Sequence, residues 1–196
     1  MIHFGSDSER VIVSNQPTSL AVEGELVFCG VSKFGFALQL FVWSNGKLII
    51  GDNCWIGSFT RLIAFRSITI GNNFLASWDC QLFDTNFHFI EDTSNDTIDD
   101  TTGTIVIKDN VWFGNRVSIL KNTFIPADCI IASGSVCNKD YSVTCEAGSV
   151  IGGVPAKFIK SGVRYIKNKQ IEMSLFRHFQ QPVNFNRTVN KKDFEK

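Results

Sequence analysis

An excess of charge of either sign is missing from this 196-residue chain: lysine plus arginine and aspartate plus glutamate both number 19. No overall field therefore draws it to nucleic acid. No apolar run is long enough to cross a bilayer. The opening MIHFGSDSER lacks a basic region followed by an apolar stretch, so no secretory signal is expected, and the default is a soluble cytoplasmic protein. The cysteines Cys29, Cys54, Cys80, Cys129, Cys137 and Cys145 form no CxxC pair. Cys54, Cys80 and Cys129 fall on the small-residue phase of a six-residue repeat and read as compact fillers, in a reducing compartment. Histidine is scarce, with only His3, His88 and His178, and only His88 is central. A metal site built from several imidazoles is then hard to assemble, and none is expected. Neither a GxSxG elbow nor a Walker-type phosphate loop occurs.

What is present is repetition. From Ile107 to Val136 the chain reads IKDNVWFGNRVSILKNTFIPADCIIASGSV, with Ile107, Phe113, Ile119, Ile125 and Ile131 at one phase of a period of six. Four residues after each comes Val111, Val117, Thr123, Cys129 and Ser135, all small or β-branched. A helix repeats near 3.6 and a half-buried strand at two. Sixes suit a chain that runs straight for a short strand, bends and repeats, which is the signature of a parallel β-helix. Ile50, Ile56, Leu62 and Ile68 share a phase earlier on. After a two-residue slip, Ile70, Ala76 and Leu82 carry a new phase up to His88. Gly51, Gly57 and Gly71 follow large residues, where a tight bend leaves no room for a side chain. Three sixes per coil predict a triangular prism in which each coil is stabilised by its neighbours. The period leaves its hand open, and the usual crossover rule favours right-handed.

The predicted organisation is an irregular N-terminal arm over 1–20 and a β-helix domain over 21–160. A C-terminal helix and tail follow over 161–196, the helix spanning Val163 to Phe179. The repeats stop at Phe89, and FIEDTSNDTIDDTTGT, 89–104, is an acidic, aperiodic insertion. It reads either as a solvated face or as the cover of a site. His88 stands where the repeat breaks, so its ring need not enter the apolar prism. It is either structural or a residue that moves a proton near neutral pH.

The string IVIKDNVWFGNRVSIL, followed by IIASGSVCNKD and GGVPAKFIK, resembles the hexapeptide-repeat acyltransferases. Within them it is similar to the O-acetyltransferases of bacterial polysaccharides and sialic-acid capsules. The resemblance covers roughly residues 50 to 160 and implies an all-β, left-handed parallel β-helix with a protruding loop and a short C-terminal helix. It further implies a homotrimer with acetyl-CoA as co-substrate in clefts between neighbouring prisms. His88 matches the catalytic base, and the backbone N–H of Asn115 matches an oxyanion donor. Trp112 matches the ring that lines the cleft, its other reading being a ring at a subunit contact. Ser133 matches a contact to the CoA arm, and Asn138 and Lys139 a pair near the adenosine end. Lys157 and Lys160 match positions that hold CoA phosphates, or they serve solubility alone. Relatives often carry aspartate two residues before the histidine. Here that position is Asn86, so the imidazole would be steadied by Asp84 or by a backbone carbonyl. Asp84 and Asn86 are accordingly candidates for the acceptor side. The acceptor stays open between a surface glycan hydroxyl, an amino-sugar nucleotide and a xenobiotic hydroxyl. A scaffold without activity is the remaining alternative.

Overall fold

The computed structural model describes residues 1–5, 14–180 and 188–194. The chain divides into two units, Met1–Arg164 and Tyr165–Lys196. The first is a parallel β-helix with three faces, each one sheet. In the regular region the first face stacks Ser32–Phe34, Cys54–Ile56, Leu75–Ala76, Trp112–Phe113, Ile130–Ile131 and Val150–Gly153. The second stacks Gln39–Val42, Arg61–Ala64, Gln81–Phe83, Ser118–Leu120 and Val136–Cys137. The third stacks Glu25–Phe28, Lys47–Ile50, Ser67–Ile70, Thr104–Ile107 and Thr123–Ile125.

Each six is one face. Ile107, Phe113, Ile119, Ile125 and Ile131 point inward from the third, first, second, third and first faces in turn, and all are buried. Each such side chain contributes roughly 1.5–3 kcal/mol of burial. Their small partners Val111, Val117, Thr123, Cys129 and Ser135 are buried as well. The two-residue slip has a simple cause. Leu62 and Ala64 on the second face, and Ile68 and Ile70 on the third, all point inward. These strands are longer, and the sides of the prism widen without losing register.

Bends and glycines are divided differently from the sequence expectation. Gly51 and Gly71 do not have positive φ; left-handed torsions at the bends belong mostly to other residues, among them Asn53, Phe59, Asn73, Asp79, Asn110, Arg116, Asn122 and Asp128, with φ of 53° to 63°. Asparagine and aspartate tolerate this region better than most residues. Asn53 Nδ2 donates to Asn73 Oδ1 at 2.8 Å, and Asn73 Nδ2 to Asn110 Oδ1 at 3.0 Å, so successive corners form a ladder. The glycines serve close stacking instead. A Cβ on Gly51 would lie 2.5 Å from the carbonyl carbon of Gly71, and one on Gly71 2.7 Å from the Asp109 nitrogen.

The N-terminal residues are not wholly irregular. Ile2–His3 pairs in parallel with Ser32–Lys33 on the first face, and Ser19–Val22 with Gln39–Val42 on the second. A two-residue strand is too short to display a period. In the second unit the helix spans Lys169–Phe179, later than the expected start at Val163. Asn168 sets that start: its Oδ1 accepts from the N–H groups of Gln170 and Ile171 at 2.9 and 3.2 Å, an N-cap. Val163 is held instead by its N–H, which donates to Gly148 O at 3.0 Å. The tail forms one 3-10 turn at Lys191–Phe194, and the Phe194 ring meets the His178 ring edge-on at 5.2 Å.

Candidate active site

The coil that follows Phe83 does not continue to His88. His88 keeps the six-residue phase in sequence, six after Leu82, but the chain has already left the prism. The return strand starts at Thr104, and Gln81 stands beside Ser118, 37 positions on. The departure is fastened at its base. Gly103 N–H donates to Asp84 O at 2.8 Å, Asn86 N–H to Thr101 O at 2.9 Å, and Thr85 bridges Thr102. Within the excursion Glu91–Asp92 and Thr97–Ile98 form a small antiparallel hairpin. Arg66 pairs with Asp100, whose carboxylate also accepts from Thr102. Those Thr102 bonds, aided by the charges of Arg66 and Lys121, hold the Asp100 carboxyl below its ordinary value.

Asp84 is neither an acceptor contact nor a partner for the imidazole. It is wholly buried, and its carboxylate accepts from the N–H groups of Phe65, Arg66 and Ser67 at 2.7, 2.8 and 2.7 Å. Those three donors line the bend between the second and third faces one coil below. Burial pushes this carboxyl above its ordinary value, against the pull of the three donors. Asp84 thus ties the root of the excursion to the coil beneath. His88 is exposed just beyond, with its backbone N–H on Asn86 O at 2.7 Å; the Asn86 side chain is exposed. That carbonyl holds the main chain at His88, not its ring.

A second group lies on the first face and its bend toward the second. Trp112 is half-buried in an outward row of Trp55, Leu75, Trp112, Ile130 and Val150. Lys160 continues this row opposite Val150, and Lys157 stands opposite Gly152, on the strand Ala156–Lys160. At the bend, Asn115 O accepts from Gly134 N–H at 2.9 Å. The N–H groups of Asn115 and Ser133 donate to no group among the described residues. Backbone donors left open in this way are available to an incoming oxygen. The same bend one coil earlier carries Trp78, whose carbonyl accepts from Arg116 N–H. Close approach is enforced there by Gly114, where a Cβ would meet Ser133 N at 2.7 Å.

Asn138 and Lys139 do not join the Trp112 group. They are exposed at the bend between the second and third faces, as the excursion is, with Lys139 Nζ 5.4 Å from the Tyr141 ring centre. The candidate residues therefore divide between two bends of one prism. Elsewhere, burial pushes the Cys54 thiol up to about 11 and the Cys137 thiol up to about 12. Both stay protonated near neutral pH and act as packing groups. Among the described residues no three His, Cys, Asp or Glu side chains converge as a metal site would need. No described helix is long and apolar enough to cross a membrane.

No family model matches the chain. It is 26% identical over 152 residues to an Escherichia coli K12 protein described as a lipopolysaccharide biosynthesis O-acetyltransferase, covering 74% of this chain and 76% of that one. It is 33% identical over 142 residues to an uncharacterised 24.8 kDa protein of the Klebsiella pneumoniae cps region, 72% of this chain and 61% of that one. Among solved structures it is similar to a hexapeptide-repeat containing acetyltransferase of Vibrio cholerae, with 25% identity and a TM-score of 0.55 over 70% and 73% of the two chains. The chain is thus similar to O-acetyltransferases and to a hexapeptide-repeat acetyltransferase. Sequence reasoning missed Phe65 and Phe83, whose rings each meet that of Phe87, the residue before His88. Eighteen phenylalanines gave too uniform a background for them to stand out.

Proposed function

We propose that this protein moves an acetyl group from acetyl-CoA to a hydroxyl of a bacterial surface polysaccharide or of its sugar precursor. The observation that carries the reading is an exposed imidazole, His88, on a loop root fastened to the prism by Asp84, Gly103 and Thr101. A sugar hydroxyl is too weak an acid to ionise unaided, and a positioned imidazole is worth about 10²–10⁴-fold. His88 takes the hydroxyl proton as that oxygen attacks the thioester carbonyl carbon. The open N–H of Asn115 stabilises the charge gathering on the carbonyl oxygen. The carbon–sulfur bond then breaks, and the departing thiolate recovers the proton from His88. The lipopolysaccharide and cps-region relatives support a glycan acceptor.

Placement supports assembly as a trimer. His88 leaves one bend, whereas Trp112, Asn115, Ser133, Lys157 and Lys160 occupy another. A homotrimer that sets the His88 bend of one copy against the Trp112 face of the next completes the site. Lys157 and Lys160 then offer charge to the CoA phosphates, and Asn138 and Lys139 of the neighbouring copy stand toward the adenosine end. The loop over 89–104 shapes the acceptor entrance. Five buried, unpaired cysteines suit a reducing, cytoplasmic compartment.

The test is acetyl-CoA consumption with a panel of acceptors: capsular and lipopolysaccharide glycans, their precursors, amino-sugar nucleotides and simple xenobiotic alcohols. Glycan hydroxyls are expected to support turnover, and consumption with the amino-sugar or xenobiotic group alone overturns the assignment. Trp112→Ala is expected to weaken CoA binding about tenfold, roughly 1.4 kcal/mol. Equal affinity by calorimetry would leave Trp112 a packing residue.

A further inference from the structure

The residue before His88 is held in a conformation that bulky side chains avoid. Phe87 has φ of 62°, and His88 N–H donates across it to Asn86 O at 2.7 Å. A hydrogen bond spanning two positions about a residue of positive φ marks a γ-turn of the rare, strained kind. Most other non-glycine residues of positive φ stand at prism bends, the asparagine ladder Asn53, Asn73 and Asn110 among them, while Asp96 turns the hairpin of the excursion. Phe87 stands outside the prism, at the root of the excursion. A strained backbone of this kind persists only where its surroundings over-determine it.

The surroundings do so here. Phe87 N–H donates to Thr85 Oγ1 at 3.0 Å. Its ring meets the Phe65 and Phe83 rings edge-on, both at 5.8 Å between centres and at 85° and 75°. Phe65 is itself fixed twice. Its ring stacks on Trp43 at 5.3 Å and 4°, and its N–H is held by the Asp84 carboxylate. Phe87 is 49% exposed, so this arrangement adds little to the core. What it does is set the direction in which the chain emerges at the next residue.

We propose that Phe87 is the positioning residue of His88: its ring, seated between Phe65 and Phe83, holds the γ-turn that presents the imidazole to the acceptor. The inference rests on His88 being the general base, as proposed above. Phe87 touches no reacting atom; it acts through the backbone that the two residues share. The ring contacts with Phe65 and Phe83 hold this turn, and removing the ring frees it to relax.

The test compares Phe87→Ala, Phe87→Gly, Phe87→Tyr and His88→Ala in the full chain, with acetyl-CoA and the best acceptor of the panel. Misplacement of a catalytic group by about 1 Å costs on the order of a hundredfold. Phe87→Ala is expected to lower kcat by about tenfold to a hundredfold on that ground. The KM for acetyl-CoA and the calorimetric CoA stoichiometry should stay unchanged, because the Trp112 face is untouched. Phe87→Gly relieves the torsion without restoring the ring, and it is expected to fall with Phe87→Ala. Phe87→Tyr keeps the ring and is expected to restore kcat. Phe83→Leu removes one wall of the seat while leaving the turn residues alone, and it should lower kcat in the same selective way. That variant decides the matter if Phe87→Ala does not fold. Wild-type kcat in Phe87→Ala or in Phe83→Leu, alongside an inactive His88→Ala, overturns the positioning role and spares the general base. An active His88→Ala overturns the base itself.

Discussion

Replacing His88 with alanine is expected to lower acetyl transfer by about a hundredfold or more, the effect of removing a general base. The side chain is exposed, and the root of the loop is held by backbone bonds at Asn86 and Gly103 together with the Asp84 carboxylate. The substitution should therefore leave the fold and the oligomer as they are. Because Trp112, Ser133, Lys157 and Lys160 lie at another bend, CoA affinity should also be unchanged. Steady-state kinetics with parallel calorimetry and light scattering makes the check. A variant that turns over at the wild-type rate removes the mechanism, whatever the fold.

The second large effect concerns stability. Asp84→Ala strips one buried carboxylate from three backbone N–H groups, those of Phe65, Arg66 and Ser67. Each of these part-buried donors left without a partner costs about 1 kcal/mol, the low end for a buried group. The loss should therefore reach about 3 kcal/mol, lowering the thermal midpoint by roughly 10 °C at the 2–4 °C per kcal/mol typical of domains this size. Asp84→Asn keeps one carbonyl oxygen for the bend and is expected to fall between the two. A midpoint within a degree or two of wild type for Asp84→Ala would mean that the bend finds other acceptors. Asp84 would then not be what fastens the loop.

The repeat was the most legible part of the sequence. One large inward residue per six, as in Ile107, Phe113 and Ile119, is a direct imprint of one inward position per face. The cysteines read correctly as fillers because Cys54, Cys80 and Cys129 keep the small-residue phase and are buried. Phase alone misled at His88, because a period counts residues and cannot show that the chain has stepped off the prism after Phe83. Asp84 misled for a related reason. An acidic residue near a histidine invites pairing, yet its oxygens are taken by a bend that lies about one coil earlier in sequence. That bend becomes a neighbour only through stacking. The torsion of Phe87 leaves no trace in composition, since phenylalanine is an improbable choice for positive φ. The division of the candidate residues between two bends follows from strand pairing, which single-chain spacing does not state.

The turned-back strand Ala156–Lys160 has a consequence for how these molecules behave in a crowd. It runs antiparallel to Val150–Gly153 and occupies the hydrogen-bonding edge at the end of the first face. An uncovered rung would invite a strand of another molecule to continue the stack, as open sheet edges do. With its own chain seated there and Lys157, Phe158, Ile159 and Lys160 exposed on it, that side is terminated from within. The lysines on this edge strand disfavour end-to-end growth along the face.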